Sequence, residues 1–220
     1  MPTHTPRLPV DDARTDTDRA TETTGAAPDT ARRLAKLITE VLAPGILVVV
    51  ILLVVGWHST RTLSGLGWGL LASLFCGIIP YGFIIAGVRL GRWTDRHIKI
   101  RQQRFVPLTV TMGSVVAGML ALVVLGAPRE IFALVVAMLA GLAVTLTVTK
   151  WWKVSVHTAV AGGVSAILIL TYGIAMVWAF PVVALTGWSR VKLRDHTPAQ
   201  TVVGTILGTV TAATVFTLVR

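Results

Sequence analysis

From residue 41 onward the chain is a series of apolar runs separated by short polar breaks. The runs lie near 41–57, 66–90, 106–126, 130–149, 157–172, 174–188 and 198–219. They approach or exceed the roughly 20 residues a helix needs to cross a bilayer, and they lack the apolar–polar alternation of barrel strands. The pattern predicts an all-α fold, a polytopic membrane bundle of six to seven transmembrane helices. The pair 157–172 and 174–188 is parted only by Tyr172-Gly173, so it requires a tight hairpin of short helices. "GAPRE" at 126–130 is a turn, with Pro128 suited to opening the next helix. Small residues in "GSVVAG", "GGVSA" and "GTILGTVTAA" suit the close helix contacts that packing in lipid requires.

The N-terminal stretch differs. Residues 1–30 are rich in Thr, Asp, Pro and Ala with almost no large apolar side chains, so they cannot bury a core and are expected to be disordered. "TARRLAKLITEVL" follows as a short amphipathic helix entering the membrane, with Arg32, Arg33 and Lys36 at the interface. The domain reading is a polar tail over 1–35 and one transmembrane domain over 36–220. No secretory signal peptide is expected ahead of the first apolar run.

Composition agrees with the pattern: 54% of the residues are hydrophobic and mean hydropathy is +0.74. The single cysteine, Cys76, lies inside an apolar run and reads as a buried small hydrophobe. Net charge is +10, unevenly spread: beyond residue 40 the acids are Asp95, Glu130 and Asp195 alone. In a soluble protein a pI near 11.1 would suggest nucleic acid; here the cations sit in membrane loops and point to lipid headgroups and phosphates, with no nucleic-acid partner.

Seven spans would bring three polar stretches to one membrane face: "RLGRWTDRHIKIRQQRF" (89–105), "KWWKVSVH" (150–157) and "SRVKLRDH" (189–196). Together they offer His97, Arg104, Ser155, His157, Ser189, Arg190 and His196. Arginine presents a rigid fork of donors that matches phosphate oxygens. Histidine can attack phosphorus or protonate a leaving alkoxide. Histidines with cationic donors and no carboxylate cluster suit phosphoryl transfer without a metal, and the same set makes a poor zinc or magnesium site. No metal or other cofactor is expected. Trp151, Trp152 and Trp188 at the same boundary read as interface anchors.

These residues resemble the type-2 phosphatidic acid phosphatases, or lipid phosphate phosphatases, as a degenerate member over roughly residues 60–220. That family carries Lys-x6-Arg-Pro, then Pro-Ser-Gly-His, then Ser-Arg-x5-His-x3-Asp. The third motif corresponds to Ser189-Arg190, His196 and Gln200, with Pro198 and Gly204 in the usual continuation. The second is reduced to "VSVH", keeping Ser155 and His157, and the first to His97, Arg104 and Phe105 with Lys99 nearby. The resemblance implies His196 as nucleophile and His157 as the acid that protonates the leaving lipid oxygen and later activates water. It implies Arg104, Arg190 and Ser155 as phosphate ligands, with His97 or Lys99 in place of the missing lysine. Two departures stand out. Gln200 occupies the position of the aspartate that orients the nucleophile, so an acceptor remains but the charge is gone. Val156 replaces the glycine of the second motif, which removes close backbone approach to phosphate.

Outside the motif positions, about twelve Lys and Arg fall on the motif face against Arg61, Arg129 and Arg220 on the other, which places the site in the cytoplasm, on the inner side of the plasma membrane. The expected function is hydrolysis of a lipid phosphate monoester or polyprenyl (di)phosphate through a phosphohistidine. The alternative is a catalytically weak relative that binds lipid phosphate or serves as a membrane partner. A prenyltransferase would need aspartate-rich motifs that the chain lacks, and a transporter would be expected to carry charge inside a span.

Overall fold

A computed structural model describes residues 30–94, 103 and 105–220. Among them it contains helices and no strand. Helix α1, Thr30–Val41, takes in the last residues of the stretch assigned to the tail; the rest of that stretch lies outside the described residues. Pro44 has no N–H to donate and holds Ala43 extended (φ −61°, ψ 142°), so the chain bends by 44° before α2, Pro44–Thr60. There follow α3, Leu63–Arg89; α4, Phe105–Leu125; α5, Arg129–Thr149; α6, Val156–Tyr172; α7, Ile174–Lys192, whose first turns are 3₁₀; and α8, Pro198–Val219. Among the described residues, five helices are long and apolar enough to span a membrane, and six if α1 and α2 count as one bent span. Helix α6 is equally apolar but has 17 residues, about 26 Å. The chain is an all-α helical bundle with apolar spans, and their ends fall within a few residues of the boundaries read from hydropathy.

One span is irregular for a traceable reason. Leu74–Ile78 in α3 forms a π turn, closed by the Ile79 N–H on the Leu74 carbonyl. The next donor in that ladder would be residue 80, which is a proline, so the Phe75 carbonyl loses its backbone partner. The Ser114 hydroxyl of α4 donates to it at 2.6 Å. An orphaned carbonyl is costly in hydrocarbon, so a polar side chain on a neighbouring helix satisfies it.

The tightest seam runs between α6 and α8. A Cβ on Gly204 would sit 2.6 Å from the Ser155 carbonyl and from Thr158 Oγ1, so only glycine admits this approach. The interior is Ile51, Leu52, Val55, Leu122, Leu134, Ile167 and Phe216, from α2, α4, α5, α6 and α8. At one end of the bundle His58 meets Glu130 at 2.9 Å, Arg129 donates to the Val219 carbonyl, and Arg220 donates to the Leu170 carbonyl. The residues of the second and third motifs gather at the other end.

Candidate functional site

The "SRVKLRDH" stretch is a helix ending, a reversal and a helix beginning. Helix α7 ends in a Schellman arrangement: the Asp195 N–H returns to the Arg190 carbonyl at 3.0 Å and the Arg194 N–H to the Val191 carbonyl at 2.9 Å. Arg194 takes the left-handed position (φ 58°) that glycine usually fills. Thr197 then caps α8, with Pro198 in its first turn and Gln200 completing a reciprocal capping box. The five residues between Arg190 and His196 are therefore the length of one tight helix-to-helix reversal.

That reversal folds Asp195 back onto Arg190. The carboxylate lies 3.0 Å from Arg190 Nη2, and the two side chains are 6% and 1% exposed, so the pair is desolvated. Lys153, from the loop before α6, donates to the Asp195 carbonyl at 2.6 Å, and the Ser155 N–H donates to the Gln200 carbonyl at 3.2 Å. Thr158 adds a bond from its hydroxyl to the Thr201 carbonyl at 2.9 Å. The second and third motifs thus form one hydrogen-bonded unit.

The geometry at His196 fixes its tautomer. Gln200 Oε1 lies 3.2 Å from the Thr197 N–H and 3.1 Å from His196 Nδ1. The backbone N–H can only donate, so the amide atom facing it is the oxygen. His196 Nδ1 then carries the hydrogen, so in the neutral ring the lone pair is on Nε2. Gln200 holds the ring as a carboxylate would, without the charge.

His157 and His196, 6% and 7% exposed, both line a cavity of about 640 Å³ that runs into the bundle. Its walls are otherwise mainly apolar, with Pro44, Cys76, Tyr81, Pro107 and Leu134 among them. Ser155 and Arg190 are not part of those walls and are fully buried. The Ser155 hydroxyl accepts from the Thr158 N–H at 3.4 Å as the cap of α6. Ser189 is also buried; it accepts from Thr39 of α1 at 3.1 Å and donates to the Thr186 carbonyl at 2.8 Å. Of the phosphate ligands the resemblance implies, His97, Lys99 and Arg104 lie outside the described residues. Trp151, Trp152 and Trp188 are 74%, 39% and 39% exposed at this end.

Several residues here were not singled out from sequence. Glu40, in the last turn of α1, is a carboxylate in the wall of the histidine cavity. Lys153 and Thr158 join the two motifs; Asp195 was visible from sequence as an acid beside His196, but not as the partner of Arg190. The spacing of Arg190 and Asp195 is itself a signal once a Schellman turn is assumed, whereas Glu40 shows only as an acid beside a helix-breaking proline. Among the described residues no three of His, Cys, Asp and Glu converge as metal ligands. Compared with protein-family models, curated proteins and solved structures, the chain matches none.

Proposed function

We propose that the protein is an integral membrane lipid phosphate phosphatase that works through a phosphohistidine. The observation that carries this reading is the pair His157 and His196 lining a largely apolar cavity, with His196 Nδ1 held on Gln200 Oε1 so that the neutral ring offers Nε2 as its nucleophile. In the proposed reaction Nε2 attacks phosphorus and the bond to the lipid oxygen breaks. His157 gives its proton to the departing alkoxide. Water then attacks the phosphohistidine while His157 takes a proton from it, and inorganic phosphate leaves with Nε2 restored. Arg190 and Ser155 back the site, and Arg104 with His97 or Lys99 would complete the phosphate cradle. The excess of Lys and Arg around the motif loops supports a cytoplasmic site and a lipid phosphate made inside the cell, with the plasma membrane as the location.

A second reading, a lipid-phosphate binder with little turnover, draws on two observations. The Arg190 guanidinium is already matched by Asp195, and Ser155 is engaged as a helix cap. Phosphate release from a panel of lipid phosphates by the purified protein, with chelator present, separates the two. Release that survives chelator and is abolished in His196→Ala and His157→Ala supports the phosphatase. No release from any substrate, even in Gln200→Asp, rejects it in favour of the binder.

A further inference from the structure

Along α6 the cavity wall runs from Val156 to Ile167, and along α5 from Thr145 to Leu134. Each interval is eleven residues, which at 1.5 Å per residue is about 16 Å. Two helices thus give the same depth independently, and it is half of a hydrocarbon core about 30 Å thick. The polar end holds His157, His196 and Glu40; Leu134, Ile167 and Ala212 are the lining residues farthest along α5, α6 and α8 from that end. The wall also includes part of the π turn of α3, where Cys76 stands.

We infer that this cavity is a slot one leaflet deep for the hydrocarbon tail of a single lipid, with Leu134, Ile167 and Ala212 as a floor that sets the accepted chain length. The inference rests on the proposed phosphate chemistry for what stands at the head of the slot, and on the cavity alone for its depth. A tail in the slot reaches the bilayer midplane and stops there. Chains of ordinary membrane length therefore fit, short alkyl phosphates leave the slot unfilled, and long polyprenyl chains overrun the floor. Ala212 is the smallest of the three floor residues, so enlarging it shortens the slot most directly.

Cys76 provides a readout independent of turnover, because it is the sole cysteine of the chain and lines the slot. The full-length protein in nanodiscs is treated with an apolar maleimide, alone and with butyl, dodecyl or hexadecyl phosphate, hexadecanol or undecaprenyl phosphate. Hexadecyl phosphate at ten times its Kd should slow alkylation about tenfold, and butyl phosphate should not slow it. Ala212→Leu should move the best protection from hexadecyl to dodecyl phosphate. Leu134→Ala, read in the same way, should favour the longer chain, so the ruler is tested even if one variant does not fold. Protection independent of chain length overturns the inference, as does undecaprenyl phosphate protecting best. Protection by hexadecanol equal to that by hexadecyl phosphate upholds the slot and counts against the phosphate reading. Phosphate release without length-dependent protection upholds the enzyme and sinks the slot.

Discussion

Replacing Asp195 with asparagine changes the shape of the site little and its charge by one unit. Arg190 is 1% exposed and its Nη2 lies 3.0 Å from the Asp195 carboxylate, so the guanidinium loses an anion that water cannot replace. Breaking a desolvated pair from one side typically costs about 3–5 kcal/mol, because the remaining charge keeps its desolvation penalty. That corresponds to a shift of roughly 150- to 5,000-fold in the folded-to-unfolded ratio. Removing both charges, as in Arg190→Met with Asp195→Leu, leaves no buried ion and should cost much less than Asp195→Asn alone. Unfolding in mixed micelles followed by tryptophan fluorescence measures all three proteins. The proposed site adds a second expectation: phosphate should stabilise Asp195→Asn more than the native protein, since an anion then serves the guanidinium. At a hundred times its Kd, a ligand contributes about 2.7 kcal/mol. The reasoning is refuted if Asp195→Asn unfolds within about 1 kcal/mol of the native protein, the range of an exposed ion pair.

Gln200→Leu removes the acceptor for both the Thr197 N–H and His196 Nδ1; stability should fall by about 1–2 kcal/mol and phosphate release should drop steeply. In a serine protease, loss of the correct histidine tautomer costs about 10⁴ in rate, which bounds the effect, and Gln200→Asp should release phosphate faster than the native protein. Ser114→Ala leaves the Phe75 carbonyl unserved and should cost about 1–2 kcal/mol in the same unfolding measurement. The loss should shrink in a Pro80→Ala background, where the backbone N–H returns. Arg194→Gly relieves a left-handed residue and should raise stability by about 1 kcal/mol, again by unfolding. A loss instead would show that the Arg194 side chain has a structural partner of its own.

The apolar spans were legible because a bilayer imposes a length on any helix that crosses it, and composition alone marks such runs. The runs near 106–126, 130–149 and 198–219 match α4, α5 and α8 to within a residue at each end. The π turn was not legible, because Leu74–Ile78 has the composition of any apolar helix and Pro80 does not announce which carbonyl it will strand. His157, His196 and Gln200 could be picked out as chemically apt residue types, and Gln200 does lie against His196. Their burial and the depth of the cavity beside them were not readable, since both depend on how α5, α6 and α8 pack. Arg190 shows the limit most clearly. Sequence names it as a phosphate ligand, whereas among the described residues it pairs with an anion from the reversal that follows it, five residues away.

That pairing bears on why a glutamine can stand at position 200. The Asp195 carboxylate already balances the Arg190 guanidinium, so that buried pair brings no net charge to an incoming phosphate. A second carboxylate at residue 200 would stabilise an imidazolium on His196 but would also face the incoming phosphate anion in a site sheltered from water, where like charges repel strongly. Gln200 retains the hydrogen bond that directs Nε2 and avoids the repulsion. Under the proposed chemistry the exchange favours binding over turnover: a neutral orienting group eases anion entry and gives less help once positive charge develops on the ring. Gln200→Asp should therefore raise kcat and KM together, whereas a glutamine that only filled space would leave KM unchanged when replaced.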